Sequence, residues 1–256
     1  MDIQGAVAIV TGSSSVTGIG AMSARALAAR GCNVVINYAS NQAGAEETAA
    51  ACAAEGVETL ICQADVSDDQ ACRRMTQAAL DKWGRIDALV NNAATTNPIK
   101  QADLEALSGE EFLRVYAVNV VGAFQMSRAA GQVMKEAGSG AIVNISSVGA
   151  WRAAGSSIAY CASKGALNTM TISLARVLAP EVRVNAVCPG GLLGNWTLNI
   201  LGEEGYQRRI EEAENTYPLR RAIMPEDVAA TALWLIETAD TMTGEWIRMD
   251  VGRHLS

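Results

Sequence analysis

Apolar runs alternate with helical patterns along the whole chain. The runs at 6–11, 33–38, 58–62, 86–91, 141–146, 182–188 and 246–249 are mostly continuous in apolar residues rather than alternating with polar ones. A strand buried on both faces needs apolar side chains at successive positions, so these runs predict strands covered on both sides. Ala-rich segments of helical period fill the intervals, at 19–30, 42–55, 68–82, 110–137, 157–179 and 225–238. Ser67-Asp68-Asp69-Gln70 reads as a capping box, and Gly31, Gly56 and Gly84 mark helix ends. Strand–helix alternation of this kind predicts an α/β fold, a doubly wound seven-stranded parallel sheet with helices on both faces. Linkers, repeats and low-complexity tracts are absent, so residues 1–256 read as one domain. The stretch 190–221 breaks the rhythm with a Gly-rich start and a polar helical piece. A long insertion after a strand predicts a mobile lid over a substrate.

Half of the 256 residues are apolar but only 5% are aromatic, so Ala, Val, Ile and Leu must fill the core. The net charge of −7 comes with no cluster of Lys and Arg, which argues against nucleic acid and anionic membrane as partners. The first ten residues lack a charged and then apolar leader, and no run reaches the length of a membrane span. Six scattered cysteines without a CxxC pair, beside a single histidine, give no metal-ligand spacing. The expectation is a cytoplasmic protein with reduced thiols and no metal.

Two stretches carry chemistry. The first is the loop Gly12-Ser13-Ser14-Ser15-Val16-Thr17-Gly18-Ile19-Gly20, between the first strand and the first helix. Glycine lets the backbone turn sharply, and the helix N-terminus offers free N–H groups to a pyrophosphate. Ser13, Ser14 and Ser15 add hydroxyl donors. The second is Tyr160-Cys161-Ala162-Ser163-Lys164, whose Tyr and Lys share a helix face. A phenol is a poor acid or base near neutrality, and a neighbouring ammonium lowers its pKa. Such a pair can move a proton at an alcohol or a carbonyl. Lys164 is one of four lysines against sixteen arginines, and it sits in an Ala-rich helix where a buried charge needs a purpose. Ser147, at the end of a predicted strand, is placed to hold a substrate oxygen, because ligands bind at the carboxyl ends of parallel strands.

These marks occur in order with Asp65, Asn91-Asn92-Ala93-Ala94, Asn119 and Pro189-Gly190. Together they closely resemble the short-chain dehydrogenase/reductase family, from about residue 7 to 252, in its main Tyr-x-x-x-Lys branch, where 3-oxoacyl-carrier-protein reductase-like enzymes belong. The resemblance implies a Rossmann fold and hydride transfer between NADP(H) or NAD(H) and a small carbonyl or alcohol. It implies that Tyr160 is the general acid/base and that Lys164 lowers its pKa and holds the cofactor ribose. Ser147 would bind the reacting oxygen, and Asn119 would support a proton relay through water. Gly12, Ser13, Ser14, Ser15, Gly18 and Ile19 would cradle phosphates. Asp65 and Val66 would contact adenine, Asn92 and Ala93 would line the cofactor, and Pro189 and Gly190 would lie against nicotinamide. The family usually forms tetramers or dimers through its long Ala-rich helices, so a homotetramer is expected, with a dimer as the alternative.

The sequence departs from that pattern at three places. Five residues separate Gly12 from Gly18 where three are usual, a length that resembles the divergent enoyl reductase branch. Ala94 stands where Gly is usual, and Gly194 where a nicotinamide-binding Thr is common, with Thr197 nearby. Enoyl reduction and a non-catalytic nucleotide sensor are the alternatives. The turn after the second strand, Asn37-Tyr38-Ala39-Ser40-Asn41, carries no carboxylate to hold a ribose 2′-hydroxyl and no Arg or Lys. Asn37, Tyr38 and Ser40 are the candidate contacts there, and the missing acidic residue favours NADP(H) over NAD(H). His254, the lone histidine, and Cys161, about 100° around the helix from Tyr160, read as structural. Trp151 and Trp196 are either an apolar wall at the substrate entrance or loop packing.

Overall fold

A computed structural model describes residues 1–255. Seven parallel strands form one sheet in the order β3-β2-β1-β4-β5-β6-β7. They are β1 Val7–Val10, β2 Asn33–Tyr38, β3 Thr59–Gln63, β4 Ala88–Asn91, β5 Gly140–Ile145, β6 Val182–Pro189 and β7 Trp246–Met249. All seven predicted strands are present, each within two residues at either end. The order reverses between β1 and β4, and this is where a crevice opens at the carboxyl edge of an open sheet.

Side chains alternate between two cores. Ala8, Val10, Val34 and Ile36 point to one face, beneath α1 (Ile19–Ala28), α2 (Gln42–Ala53) and α9 (Pro225–Glu237). Ile9, Val35, Leu89 and Ile142 point to the other, beneath α3 (Asp69–Trp83), α5 (Ala123–Ala137) and α7 (Ile158–Leu178). The continuous apolar runs are thus two interleaved sets of period two. The cap of α3 is Asp68 rather than Ser67. Asp68 Oδ1 accepts from the Gln70 N–H at 2.8 Å, and Ser67 instead donates to Asp65.

The predicted helix 110–137 is present and carries a π-helical turn in its middle. α4 (Gly109–Tyr116) runs into a π-helical turn, Ala117–Gly122, before α5 begins. Single π turns widen a helix and re-aim its side chains. Here the turn buries Asn119, which donates to Ser163 Oγ at 3.0 Å and to the Thr95 carbonyl at 3.0 Å, and accepts from the Thr95 N–H at 2.7 Å. The stretch 190–221 is largely helical. α8 spans Asn195–Thr216 with a break at Gly202, whose φ of 68° favours glycine. Four-residue α6 (Gly149–Arg152) follows β5.

The π turn passes so close to the end of β3 that residue 122 has no room for a side chain. A Cβ there would stand 2.5 Å from Val66 Cγ2 and 3.1 Å from the Val66 carbonyl. Gly122→Ala is therefore expected to cost about 1–3 kcal/mol through overpacking. Thermal unfolding at fixed protein concentration reads it, and a melting point equal to that of the wild type would refute the close approach.

Candidate active site

The carboxyl ends of β1, β4, β5 and β6 open into a cavity of about 800 Å³. It runs from the loop after β1, past the end of β4, to the start of α7, and then under α8. Gly12, Ser14, Ser15, Gly18, Ile19, Asn37, Ser40, Asp65, Val66, Asn92, Ala93, Ser147, Tyr160, Lys164, Pro189 and Gly190 all line it. One surface thus gathers residues from seven separate places in the sequence.

Three expected residues do not line it. Ser13 is fully buried, and its hydroxyl bridges β1 and β2: it donates to the Val10 carbonyl at 2.9 Å and accepts from the Asn37 N–H at 3.0 Å. That hydroxyl ties strands together and is withdrawn as a phosphate donor. The Tyr38 side chain packs in the core with Ala45 and Ala49, because alternation along β2 turns it away from the side that Asn37 faces. It is withdrawn as a cofactor contact. The Asn119 amide is committed to Thr95 and Ser163, so its side chain braces the site from behind. Ser163 Oγ in turn donates to the Tyr160 carbonyl at 2.7 Å.

The long loop is held from three sides. Asn92 Nδ2 donates to the carbonyls of Thr11 and Gly12 at 2.9 and 2.8 Å. The Gly12 N–H donates to Asn37 Oδ1 at 3.0 Å. Asn41 caps α2 by accepting from the Gly44 N–H, and it donates to the Ser14 carbonyl at 2.7 Å. The extra residues of the loop therefore rest on the start of α2. Gly44, which the sequence reading passed over, makes this possible: a Cβ there would collide with the Ser14 carbonyl. A Cβ on Gly20 would likewise stand 2.6 Å from the Gly12 carbonyl. Close backbone approach at a helix N-terminus is what a pyrophosphate requires, so these residues fit a dinucleotide. The neighbouring turn is neutral: Ala39 and Ser40 line the cavity, and the first carboxylate beyond them is Glu46, within α2.

At the far end, Ser157 caps α7 by accepting from the Tyr160 N–H at 3.1 Å, which fixes the first turn of the helix. Tyr160 and Lys164 then project together from that helix. Ser147 accepts from the Gly149 N–H at 3.0 Å and lies on the phenol side, where it favours the ionised form of Tyr160. Lys164 is 3% exposed, its Nζ donates to the Ile145 carbonyl at 2.7 Å, and it lies 5.6 Å from the centre of the Tyr160 ring. Among the described residues no carboxylate pairs with it. Burial pushes the ammonium down to about 8. Burial also pushes the phenol up to about 12, against the acidifying influence of Ser147. The expected lowering of the tyrosine pKa is thus reversed in this state, because desolvation outweighs its neighbours. Near neutral pH the set holds a protonated phenol beside a protonated amine.

The remaining wall comes from the stretch after β6 and from Arg253 after β7. Leu192, Leu193, Trp196, Ile200 and Leu201 make it apolar, and Arg209 and Arg253 make it cationic. Sequence reasoning found Trp196 as one of two readings and missed the arginines, since nothing in a polar helical segment says which face turns inward. Trp151 takes the other reading: its ring packs tilted against that of Trp246 of β7, centroids 4.9 Å apart, outside the cavity. Thr197 donates to the Leu192 carbonyl at 2.8 Å and holds the start of α8. His254 pairs with the buried Asp250 at 2.8 Å, away from the cavity.

Comparison with known proteins agrees with this geometry. Residues 12–254 match a family model described as enoyl-(acyl carrier protein) reductase. The protein named ketoacyl reductase 2 of the granaticin polyketide synthase, from Streptomyces violaceoruber, is 42% identical over 97% of this chain and 96% of its own. Glucose 1-dehydrogenase 2 of Bacillus subtilis is 35% identical over 99% of this chain and 96% of its own. A crystal structure from Burkholderia xenovorans, described as a short-chain dehydrogenase/reductase, superposes with a TM-score of 0.90 at 39% identity, covering 98% of this chain and 99% of that one. Likeness of this extent runs through both the loop after β1 and the Tyr–Lys helix: the chain belongs to the short-chain dehydrogenase/reductase family, oxidoreductases that move a hydride between a nicotinamide cofactor and a carbonyl or alcohol carbon.

Proposed function

We propose that Tyr160 is the proton donor in carbonyl reduction by NADP(H), and the acceptor in the reverse reaction. The observation that carries this is the convergence of Tyr160, Ser147 and an unpaired buried Lys164 at one end of the cavity. When bound, the nicotinamide supplies or accepts the hydride. Ser147 and the Tyr160 phenol hold the substrate oxygen, and the phenol gives it a proton as charge develops there. The Lys164 ammonium favours the phenolate left behind. Its charge is also available to cofactor hydroxyls once the Ile145 carbonyl shares it. Asn119 is a positioning residue, acting through Ser163. Gly12, Ser14, Ser15, Gly18, Ile19 and Asn37 hold the pyrophosphate side, with Asp65, Val66, Asn92 and Ala93 toward adenine and its ribose, and Pro189 and Gly190 toward nicotinamide.

The neutral turn at Ala39 and Ser40 favours NADP(H) over NAD(H), since no carboxylate there repels a 2′-phosphate. The segment 190–221 acts as the substrate lid, with Gly202 as the point where α8 can bend. Exposed apolar side chains on α4, on α7 and in the π turn, including Leu113, Val121, Ile172 and Val177, suit assembly into a homotetramer, readable as particle mass in solution. No helix among the described residues is long and apolar enough to cross a membrane. A second reading, enoyl reduction, is favoured by the length of the loop after β1 and by the description of the matching family model. The three residues between Tyr160 and Lys164 oppose it.

Tyr160→Phe is expected to lose roughly 10²–10⁴-fold in kcat on ketone substrates while binding cofactor as before. Near-normal turnover in that variant, or turnover of enoyl thioesters but of no ketone, would overturn the assignment. The pH profile has a definite sign. Lys164 is charged below about 8 and neutral above it, so kcat/KM for reduction should be level below about pH 8 and fall above it. In Lys164→Met the profile should be lower throughout and lack that break. A break at the same pH in the variant would assign it to another group.

For the cofactor, kcat/KM with NADPH is expected to exceed that with NADH. A tenfold preference for NADH would show that a missing carboxylate is the wrong criterion for this turn.

A further inference from the structure

The two ends of the cavity differ in charge. Among the described residues its only lining carboxylate is Asp65, exposed at the adenine end and occupied by Ser67. Under α8 the lining charges are Arg209 and Arg253, with Lys164 behind them. We propose that the substrate carries an anionic group, a carboxylate or a phosphate, separated from its reacting carbon by an apolar spacer, and that Arg209 receives it. This rests on the carbonyl/alcohol reading above and narrows its substrate class.

α8 is acidic as a sequence, with Glu203, Glu204, Glu211, Glu212 and Glu214, yet none of these lines the cavity. The helix turns one charge inward, and it is a cation. The partner that helix spacing would offer Arg209 is Glu212, three residues on. Glu212 instead accepts from Arg253 at 2.6 Å, and the Arg253 guanidinium lies 5.1 Å above the Tyr217 ring. Among the described residues Arg209 has no carboxylate in ion-pair reach. Its sequence neighbour shows the ordinary alternative. Arg208 pairs with Glu204 at 2.6 Å and stays outside the cavity. A half-buried guanidinium left without an anion, in a protein of net charge −7, is a fork matched to a planar carboxylate or a phosphate. Trp196 and Ile200 lie on the same wall. They give the substrate an apolar body rather than a polyhydroxyl one.

The test compares methyl-ketone oxo acids of increasing chain length with their methyl esters and with phosphate monoesters of hydroxyketones. Wild type, Arg209→Gln and Arg208→Gln are each assayed for KM and, independently of turnover, for binding by thermal shift with cofactor present. For the best anion, Arg209→Gln should raise KM and weaken binding by about 10- to 100-fold, the scale of one charged hydrogen bond. Esters should not respond to the substitution, Arg208→Gln should match wild type, and the tighter series identifies carboxylate or phosphate. Esters binding as well as both anion series, an equal loss in Arg208→Gln, or no anion binding at all would overturn the proposal. So would a parallel loss of cofactor affinity in Arg209→Gln, which would place the guanidinium on the cofactor instead. Anion binding through Arg209 without reduction of any ketone would support this inference and sink the catalytic reading. Reduction of acids and esters alike, unaffected by Arg209→Gln, would do the reverse.

Discussion

The buried ammonium of Lys164 is the constraint on which the catalytic end depends. A charge taken out of water without an opposite charge beside it is expensive, and here the Ile145 carbonyl and the Tyr160 ring meet it, with no carboxylate among the described residues. Its fall from the usual lysine value to about 8 corresponds to a cost on the order of 3 kcal/mol. The fold bears that cost through rigid surroundings. The carbonyl belongs to the last residue of β5, and the amine belongs to the second turn of the 21-residue α7. Ser146 Oγ, donating to the Lys164 carbonyl at 3.3 Å, ties the two elements again. A charge held this firmly cannot relax toward solvent, so it acts on whatever enters the cavity.

A second set of ties fixes the phosphate end, and it is made of uncharged groups. Asn37, Asn41 and Asn92 each bind backbone atoms of the loop after β1 or its neighbours, and none of them relies on a cation. Side-chain amides suit this work because each offers donors and an acceptor together, and so can satisfy buried backbone on two elements at once. Asn41 does so directly, capping α2 with its oxygen and holding Ser14 with its nitrogen. The two extra residues of the loop are therefore supported, and the backbone N–H groups at the start of α1 stay open.

The fold was legible in the sequence because strands buried on both faces leave a continuous apolar signature. The Tyr160, Lys164 and Ser147 set was legible because each lies at a strand or helix end, where direction follows from local geometry. What escaped depends on contacts between distant segments. Ser13 and Tyr38 sit in motif positions, yet strand pairing and alternation turn them inward. The π turn leaves no pattern, since Asn119 and Gly122 reveal their reason only once Ser163 and Val66 are beside them. Arg209 was hidden in a charged run whose inward face is set by how α8 docks. The sign of the tyrosine shift was misjudged because a neighbouring charge is visible in sequence and desolvation is not.

The cavity is thus built from two kinds of material. Strand ends and the starts of α1 and α7 line the half to which the proposal assigns the dinucleotide and the proton transfer, and these elements are also bound into the two cores. α8 supplies the other half and is tied in more lightly. It breaks at Gly202, and of its residues only Thr197 and Ala213 are buried. Changes there alter what the wall presents at little cost to the sheet, whereas a change at Lys164 or Asn92 disturbs both fold and chemistry. The role proposed for Arg209 would place substrate choice mainly in 192–209, where that side chain turns inward against the acidic trend of its own helix.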